Sequence, residues 1–234
     1  MFGPEEDGRI MKLKDKVMLI TGGSGALGQT VVPTFTAEGA RVFMTARQTE
    51  VAPPEVSIIQ ANVTDETEVQ QVVTEVLSKT GRIDGLINLV GAFASGPAAD
   101  TSLSVWERML SLNVTTAFVL SKAVAPHMRA RGVGRILHVA AWAAVVPFPG
   151  AAAYIVAKSS LLTLVRVLAV ELGGSGVTVN AVLPTTIDTP SNRTNMPHAD
   201  RSTWASPESI AATLSFLASD GACQINGAAI PIGT

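Results

Sequence analysis

An apolar run, a glycine-rich turn and a helical segment follow one another near the start of the chain. Residues 17–20 have the composition of a buried strand, and residues 21–28 contain four glycines (Gly22, Gly23, Gly25 and Gly28). Glycines at such a turn let the backbone approach a diphosphate, which then faces the N-terminus of the following helix. This order of elements predicts the first βαβ unit of a nucleotide-binding sheet.

Apolar runs and helical stretches continue to alternate along the chain, which predicts βαβ units and a parallel sheet. Residues 1–11 are acidic and predict a disordered leader, whereas residues 12–234 form one domain in this interpretation. The polar segment at about 185–206 predicts a loop that covers a substrate. The predicted strands are 17–20, 42–46, 57–60, 85–89, 134–141, 178–183 and 228–232. The predicted helices are 26–38, 66–80, 103–131, with a kink at Pro126, 151–172 and 207–218.

The charge and composition of the chain exclude several classes of partner. A net charge of −2 without a basic run argues against nucleic acid and against an anionic membrane surface. The most apolar windows are too short to predict a transmembrane helix. The single cysteine, Cys223, excludes an internal disulfide and fits a cytoplasmic protein. We see no spacing of ligands that predicts a metal site.

Tyr154, the only tyrosine, precedes Lys158 by four residues, so a helix presents both side chains on one face. A phenol has a reference pKa of about 10 and is a poor acid or base at neutral pH. A cation one turn away favours the ionised form and is expected to lower that pKa. The pair therefore indicates proton transfer in an oxidoreductase.

Arg47 follows the second predicted strand, where an acidic residue would bind the ribose 2′-hydroxyl of NAD. An arginine at that place suits a 2′-phosphate instead, so the sequence favours NADPH, with NADH as the alternative. Asn62 and Val63 follow the third predicted strand and are expected to flank the adenine.

Taken together, these motifs resemble the short-chain dehydrogenase/reductases across about residues 12–234. The resemblance implies a single Rossmann-like, doubly wound parallel sheet with helices on both faces. It also implies that Tyr154 donates a proton, that Lys158 binds the nicotinamide ribose, and that Asn113 positions a relaying water. The implied cofactor-binding residues are Gly22, Ser24, Ala26, Leu27, Gly28, Arg47, Asn62, Val63, Asn88, Gly91, Tyr154, Lys158, Pro184, Ile187 and Thr189.

The main departure from the family pattern is Ala141, which stands where the family has a catalytic serine thirteen residues before Tyr154. Without that hydroxyl, ordinary carbonyl reduction is expected to be poor, because one donor to a developing oxyanion contributes about 10²–10³ in rate. Residues 181–204 resemble a group within the family, the dihydropteridine reductases. A small conjugated acceptor, such as a quinonoid dihydropteridine, is therefore the expected substrate, with Trp142 and Trp204 available to stack on it.

Two alternatives stay open at this point. The chain could be a carbonyl or 3-oxoacyl reductase that functions without the serine, or a cofactor-binding family member without turnover. The family resemblance also implies a homodimer or homotetramer built on the long apolar helices at 103–131 and 151–172.

Overall fold

The computed structural model describes residues 11–48 and 54–233. Seven parallel strands form one sheet in the order β3-β2-β1-β4-β5-β6-β7. The predicted leader, residues 1–11, lies outside the described residues except for Met11. The strands are β1 (Val17–Thr21), β2 (Arg41–Ala46), β3 (Val56–Gln60), β4 (Gly85–Asn88), β5 (Gly134–Val139), β6 (Val177–Pro184) and β7 (Ala229–Ile232).

Within the described residues, seven α-helices connect or flank these strands. They are α1 (Gly28–Ala37), α2 (Glu66–Thr80), α3 (Leu103–Leu110), α4 (Thr116–Arg131), α5 (Ala152–Glu171), α6 (Pro190–Asn195) and α7 (Pro207–Ala218). The doubly wound α/β fold is confirmed, because helices pack on both faces of the sheet. One core cluster combines strand residues with α2, α4 and α5. The other combines strand residues with α1 and α7.

Local signals fix the ends of the helices that the sequence predicts best. The carboxylate of Asp65 accepts from the amides of Thr67 and Glu68 at the start of α2, and Gly81 ends that helix with a φ of 71°. The hydroxyl of Ser206 accepts from the amide of Ser209 at the start of α7, where Pro207 is the first helical residue.

The predicted helix 103–131 is interrupted, but not at Pro126, which lies within α4. A π-helical turn, Ser111–Thr115, separates α3 from α4 and contains the buried Asn113. Such turns insert an extra residue into a helix and often occur at functional sites. The fifth strand is shorter than predicted, since it ends at Val139 and leaves Ala141 at the start of a short turn.

In the part of the chain that the structure describes, two helical stretches are long and apolar enough to span a membrane, Leu103–Arg131 and Ala152–Glu171. The sequence analysis expected no apolar window long enough for a transmembrane helix, but the predicted helix 151–172 contains one. Both stretches contribute side chains to the core beside the sheet, among them Leu120 from α4 and Leu161 from α5. Helices that pack on the core of a protein can have this length and apolar composition, so these two helices are weak evidence for a membrane span.

The sheet reverses its direction of winding between β1 and β4. Strand β1 pairs with β2 on one side and with β4 on the other. The loops that leave β1 and β4 therefore diverge toward opposite faces and open a crevice at the carboxyl ends of the strands. In sheets of this type, ligands bind at such a point.

Candidate active site

The glycine turn after β1 has close backbone contacts that other residues would disrupt. Gly22 has a φ of 73°, a conformation that side chains disfavour. A Cβ added at Gly28 would lie 2.1 Å from the carbonyl oxygen of Gly23, so the first residue of α1 must be a glycine to pack on the turn. Ala26, where the family motif has glycine, does not have a positive φ and needs no such freedom.

A cavity of about 730 Å³ opens at the crevice beside β1 and β4. Six of the predicted cofactor-binding residues line it: Gly22, Ser24, Arg47, Asn62, Val63 and Gly91. The glycine turn leads into the N-terminus of α1, which suits the negative charge of a diphosphate. The residues present therefore fit a dinucleotide at this place.

Sequence reasoning missed several residues of the same cavity, of which Arg108 and Leu112 are the most informative. They lie four positions apart, Arg108 in α3 and Leu112 in the π-helical turn. Their four-residue spacing places both side chains on one helical face just before Asn113, and this was the sequence signal that could have identified them. Gly25 of the predicted glycine turn and Ala46 beside Arg47 also line the cavity. The other lining residues not predicted are Thr45, Gln48, Ala61, Thr64, Leu89, Val90 and Ala92.

Behind the cavity, the side chain of Asn88 is bonded inside the protein. Its amide oxygen accepts from the hydroxyl of Thr21 at 2.8 Å and from the amide of Val90 at 3.1 Å. Its amide nitrogen lies 3.4 Å from Nδ1 of His138, whose Nε2 lies 3.1 Å from the hydroxyl of Ser121. Asn88 thus holds the ends of β1 and β4 together beneath the turn.

His138 is fully buried in this network, and burial lowers its pKa to about 3, with a smaller contribution from the positive charge of Lys158. The ring is therefore neutral at physiological pH. His138 is a structural histidine, since both of its ring nitrogens have hydrogen-bonding partners inside the protein.

Asn113 joins the π-helical turn to the segment after β4. Its amide nitrogen donates to the carbonyl oxygens of Ala92 and Met109, each at 3.0 Å, and its amide oxygen accepts from the amide of Ala92 at 3.2 Å. A Cβ at Gly91 would lie 2.9 Å from Oδ1 of Asn113 and 3.1 Å from Nζ of Lys158. Gly91 therefore allows two predicted catalytic side chains to approach the same point of the backbone.

Tyr154 and Lys158 both lie on α5, as predicted, but the ammonium does not counteract the burial of the phenol. Nζ of Lys158 donates to the carbonyl oxygen of Val139 at 2.8 Å. Burial raises the pKa of Tyr154 to about 12 and lowers the pKa of Lys158 to about 8. The expected lowering of the tyrosine pKa by its neighbour is therefore wrong for this structure, because desolvation outweighs the charge.

Ala141 is buried and begins the turn Trp142–Ala144, which packs on α5. The hydroxyl of Ser159 donates to the carbonyl oxygen of Ala144 at 3.1 Å and fastens this turn to the helix. The methyl group of Ala141 cannot donate a hydrogen bond, and the adjacent indole of Trp142 is half-buried.

Tyr154 is half-buried and packs against a small apolar cluster of Met109, Ala153 and Ala157. The ring of Phe93 meets it edge-on, with ring centroids 5.0 Å apart. Backbone bonds from Gly96 to Gly150 and from Ala152 to Gly96 hold the segment of Phe93 against the start of α5. Phe93 was not predicted from the sequence, since it has no local signal.

The predicted substrate loop is a folded segment that contains α6, a helix the sequence analysis did not predict. The hydroxyl of Thr189 accepts from the amide of Asn192 and caps this helix. Ile187 pairs with Ala205 across the base of the segment, and Pro184 ends β6 beside it. Trp204 is half-buried under the guanidinium of Arg201, which lies 5.5 Å from the ring centroid.

Comparison with known proteins gives a consistent result. The family model for short chain dehydrogenases matches residues 16–200. A meso-2,3-butanediol dehydrogenase from Serratia marcescens is 32% identical over 95% of this chain and 94% of its own length. A 3-oxoacyl-[acyl-carrier-protein] reductase from Thermotoga maritima is 30% identical over 95% of this chain and 98% of its own length.

Solved structures agree with this assignment. The crystal structure of a putative short-chain dehydrogenase/reductase from Burkholderia xenovorans is 29% identical and has a TM-score of 0.88, covering 94% of this chain and 96% of that chain. The glycine turn, the parallel sheet and the similarity over almost the whole length lead to one conclusion. The chain belongs to the short-chain dehydrogenase/reductase family of NAD(P)-dependent oxidoreductases.

Proposed function

We propose that this protein is an NADPH-dependent reductase that transfers hydride to a small, conjugated, electron-poor acceptor, with quinonoid dihydropteridine as the first candidate. The observation that carries the proposal is Ala141, a buried methyl group at the position of the family's serine. A conjugated acceptor needs such a donor less, because its reduction does not concentrate a full negative charge on one alkoxide oxygen. A simple ketone would lose about 10²–10³ in rate from the missing donor.

The side chains around Tyr154 suit a planar and weakly polar acceptor. Phe93 is 59% exposed although it packs edge-on against the phenol, so part of its ring is available to a ligand. Trp142 offers an indole on the turn that follows Ala141. Aromatic side chains contribute both apolar area and ring stacking to such a site.

In this proposal Tyr154 gives the proton, and its raised pKa keeps the phenol in the donor form at neutral pH. The bound nicotinamide supplies the hydride. The hydride and the proton add to the conjugated system, so one double bond is reduced and Tyr154 is left as a phenolate. Lys158, buried one turn away on α5, stabilises that phenolate with the positive charge of its ammonium group.

Arg47 supports a preference for NADPH, since it lines the cavity directly after β2. An Arg47→Asp variant should bind NADPH more weakly and gain affinity for NADH, because a carboxylate repels a 2′-phosphate and accepts from a 2′-hydroxyl. Fluorescence titration with both nucleotides measures the change, and an unaltered preference would rule out this role for Arg47.

A second candidate function is the reduction of a ketone or 3-oxoacyl substrate. Two relatives have names that describe reactions of this kind, the butanediol dehydrogenase and the 3-oxoacyl-[acyl-carrier-protein] reductase, and this similarity supports the second candidate. It requires that Tyr154 alone, or a group on the substrate, replaces the donor missing at Ala141.

We further propose that residues 12–234 act as one domain and that the protein forms a homodimer or homotetramer. Large apolar residues lie exposed on the long helices, among them Phe118 on α4 and Val167 and Val170 on α5. Light scattering coupled to size exclusion should give two or four times the chain mass of 24.3 kDa. A monomer would contradict the oligomer.

The activity is tested by NADPH and NADH oxidation with quinonoid dihydropteridine and with a panel of small ketones, for the wild type and Tyr154→Phe. We expect pterin turnover that falls by about 10²–10⁴ in the variant, the range for loss of a general acid. Ketone turnover alone would support the second candidate. Tight cofactor binding without turnover of any acceptor would support a non-catalytic family member.

A further inference from the structure

Arg108 is an arginine of the cofactor cavity that the family motifs do not include. It lies on α3 and lines the same cavity as Arg47, which comes from the end of β2. Both side chains are exposed, and neither forms an ion pair or a side-chain hydrogen bond with another described residue. Two cations from separate elements are thus available to a ligand in one cleft.

The charge of this cavity is opposite in sign to that of the whole protein. The chain carries a net charge of −2, whereas the only charged residues among those that line the cavity are the two arginines. Two acidic residues at the start of α2, which follows the lining residues Asn62, Val63 and Thr64, have partners of their own. Glu66 pairs with Lys122 at 2.6 Å, and Glu68 accepts from the amide of Asn62 at 2.7 Å.

Arg108 lines the same cavity as the residues expected to bind the adenosine half of the cofactor. Leu112, four residues later, lines the same cavity, as do Asn62 and Val63, which are expected to flank the adenine. The glycine turn at Gly22 and Gly25 also lines the cavity, and there a diphosphate faces the N-terminus of α1. A 2′-phosphate is the remaining anionic group of the dinucleotide that needs side-chain cations, and guanidinium groups bind phosphate in a forked geometry.

We propose that Arg108 is a second specificity-determining residue, which binds the 2′-phosphate of the adenosine ribose together with Arg47. The inference deepens the proposed preference for NADPH. Arg108 then contributes to the choice of cofactor and has no part in the transfer of the hydride or the proton.

The test measures binding and does not depend on turnover. Dissociation constants for NADPH, NADH and adenosine 2′,5′-bisphosphate are determined by fluorescence or calorimetric titration of the full chain. The variants are Arg108→Gln, Arg47→Gln and, as a matched control, Arg129→Gln. Arg129 is an exposed residue on α4 that does not line the cavity, so its variant removes the same charge elsewhere.

We expect Arg108→Gln to raise the dissociation constants of NADPH and the bisphosphate by about tenfold or more, which is the loss expected for one charge-assisted hydrogen bond. The dissociation constant of NADH should change by less than about twofold. The control should bind all three ligands as the wild type does. If Arg108→Gln lost the same affinity for NADPH as for NADH, or lost no affinity at all, the proposal would be overturned. The expected tenfold loss should shrink at high salt, because the contact is exposed.

This experiment separates failure of the inference from failure of the proposed cofactor preference. A wild-type protein that binds NADH as tightly as NADPH would contradict the preference and the inference together. A wild type that prefers NADPH, with Arg47→Gln impaired and Arg108→Gln unchanged, would contradict the inference alone.

Discussion

The ammonium of Lys158 donates a 2.8 Å hydrogen bond to the carbonyl oxygen of Val139, at the last residue of β5. This bond fastens α5 to the edge of the candidate active site, yet it does not offset the cost of burying the charge. Burial lowers the pKa of Lys158 from 10.5 to about 8. The protonated lysine therefore destabilises the folded state.

This shift predicts a dependence of stability on pH. Between pH 8 and pH 10 the unfolded chain holds the lysine proton more strongly than the folded protein, so the free energy of unfolding should rise with pH. The contribution is about 2 kcal/mol over this window, from a shift worth 1.36 kcal/mol per pKa unit. Urea unfolding of the wild type and Lys158→Met at several pH values measures it. Parallel pH profiles of the two proteins would contradict the account.

Gly91→Ala tests the close approach of the backbone to two catalytic candidates. The new methyl group would lie 2.9 Å from Oδ1 of Asn113 and 3.1 Å from Nζ of Lys158, so both side chains must move. We expect a loss of turnover of about tenfold or more, since small displacements at an active site are costly. The control Gly221→Ala, whose added Cβ meets no atom closer than 3.5 Å, should be as active as the wild type. Equal activity of the two variants would contradict this role of Gly91.

Asn113→Ala should destabilise the protein by about 1–3 kcal/mol, because it leaves the buried carbonyl of Met109 and the half-buried backbone groups of Ala92 without their side-chain partner. Asn195→Ala is a suitable control, since Asn195 is exposed and makes one long contact of 3.5 Å with Ser191. Chemical denaturation compares the two. An Asn113 variant as stable as the control would show that these bonds contribute little.

The sequence was sufficient to predict the elements that have local signals at their ends. The helix predicted at 66–80 coincides with α2 because Asp65 caps its start and Gly81 ends it with a left-handed conformation. The glycine turn likewise follows from its own residues, since Gly22 and Gly28 are required by the backbone itself.

Features that depend on distant contacts were beyond sequence reasoning. The π-helical turn at Ser111–Thr115 is held by bonds from Asn113 to Ala92, twenty-one positions away. The hydrogen bond of Lys158 goes to a carbonyl on another element, which the spacing from Tyr154 does not indicate. The short helix α6 has its capping threonine and a following proline, but six residues are too few for a periodic pattern.

The central claim is that the methyl group of Ala141 directs the enzyme toward conjugated acceptors. The most direct test is the ratio of kcat/KM for quinonoid dihydropteridine to kcat/KM for a simple ketone, in the wild type and in Ala141→Ser. We predict that the serine raises ketone reduction by about 10² while pterin reduction changes little, so the ratio falls by about that factor. A ratio that is the same in both proteins would contradict the claim.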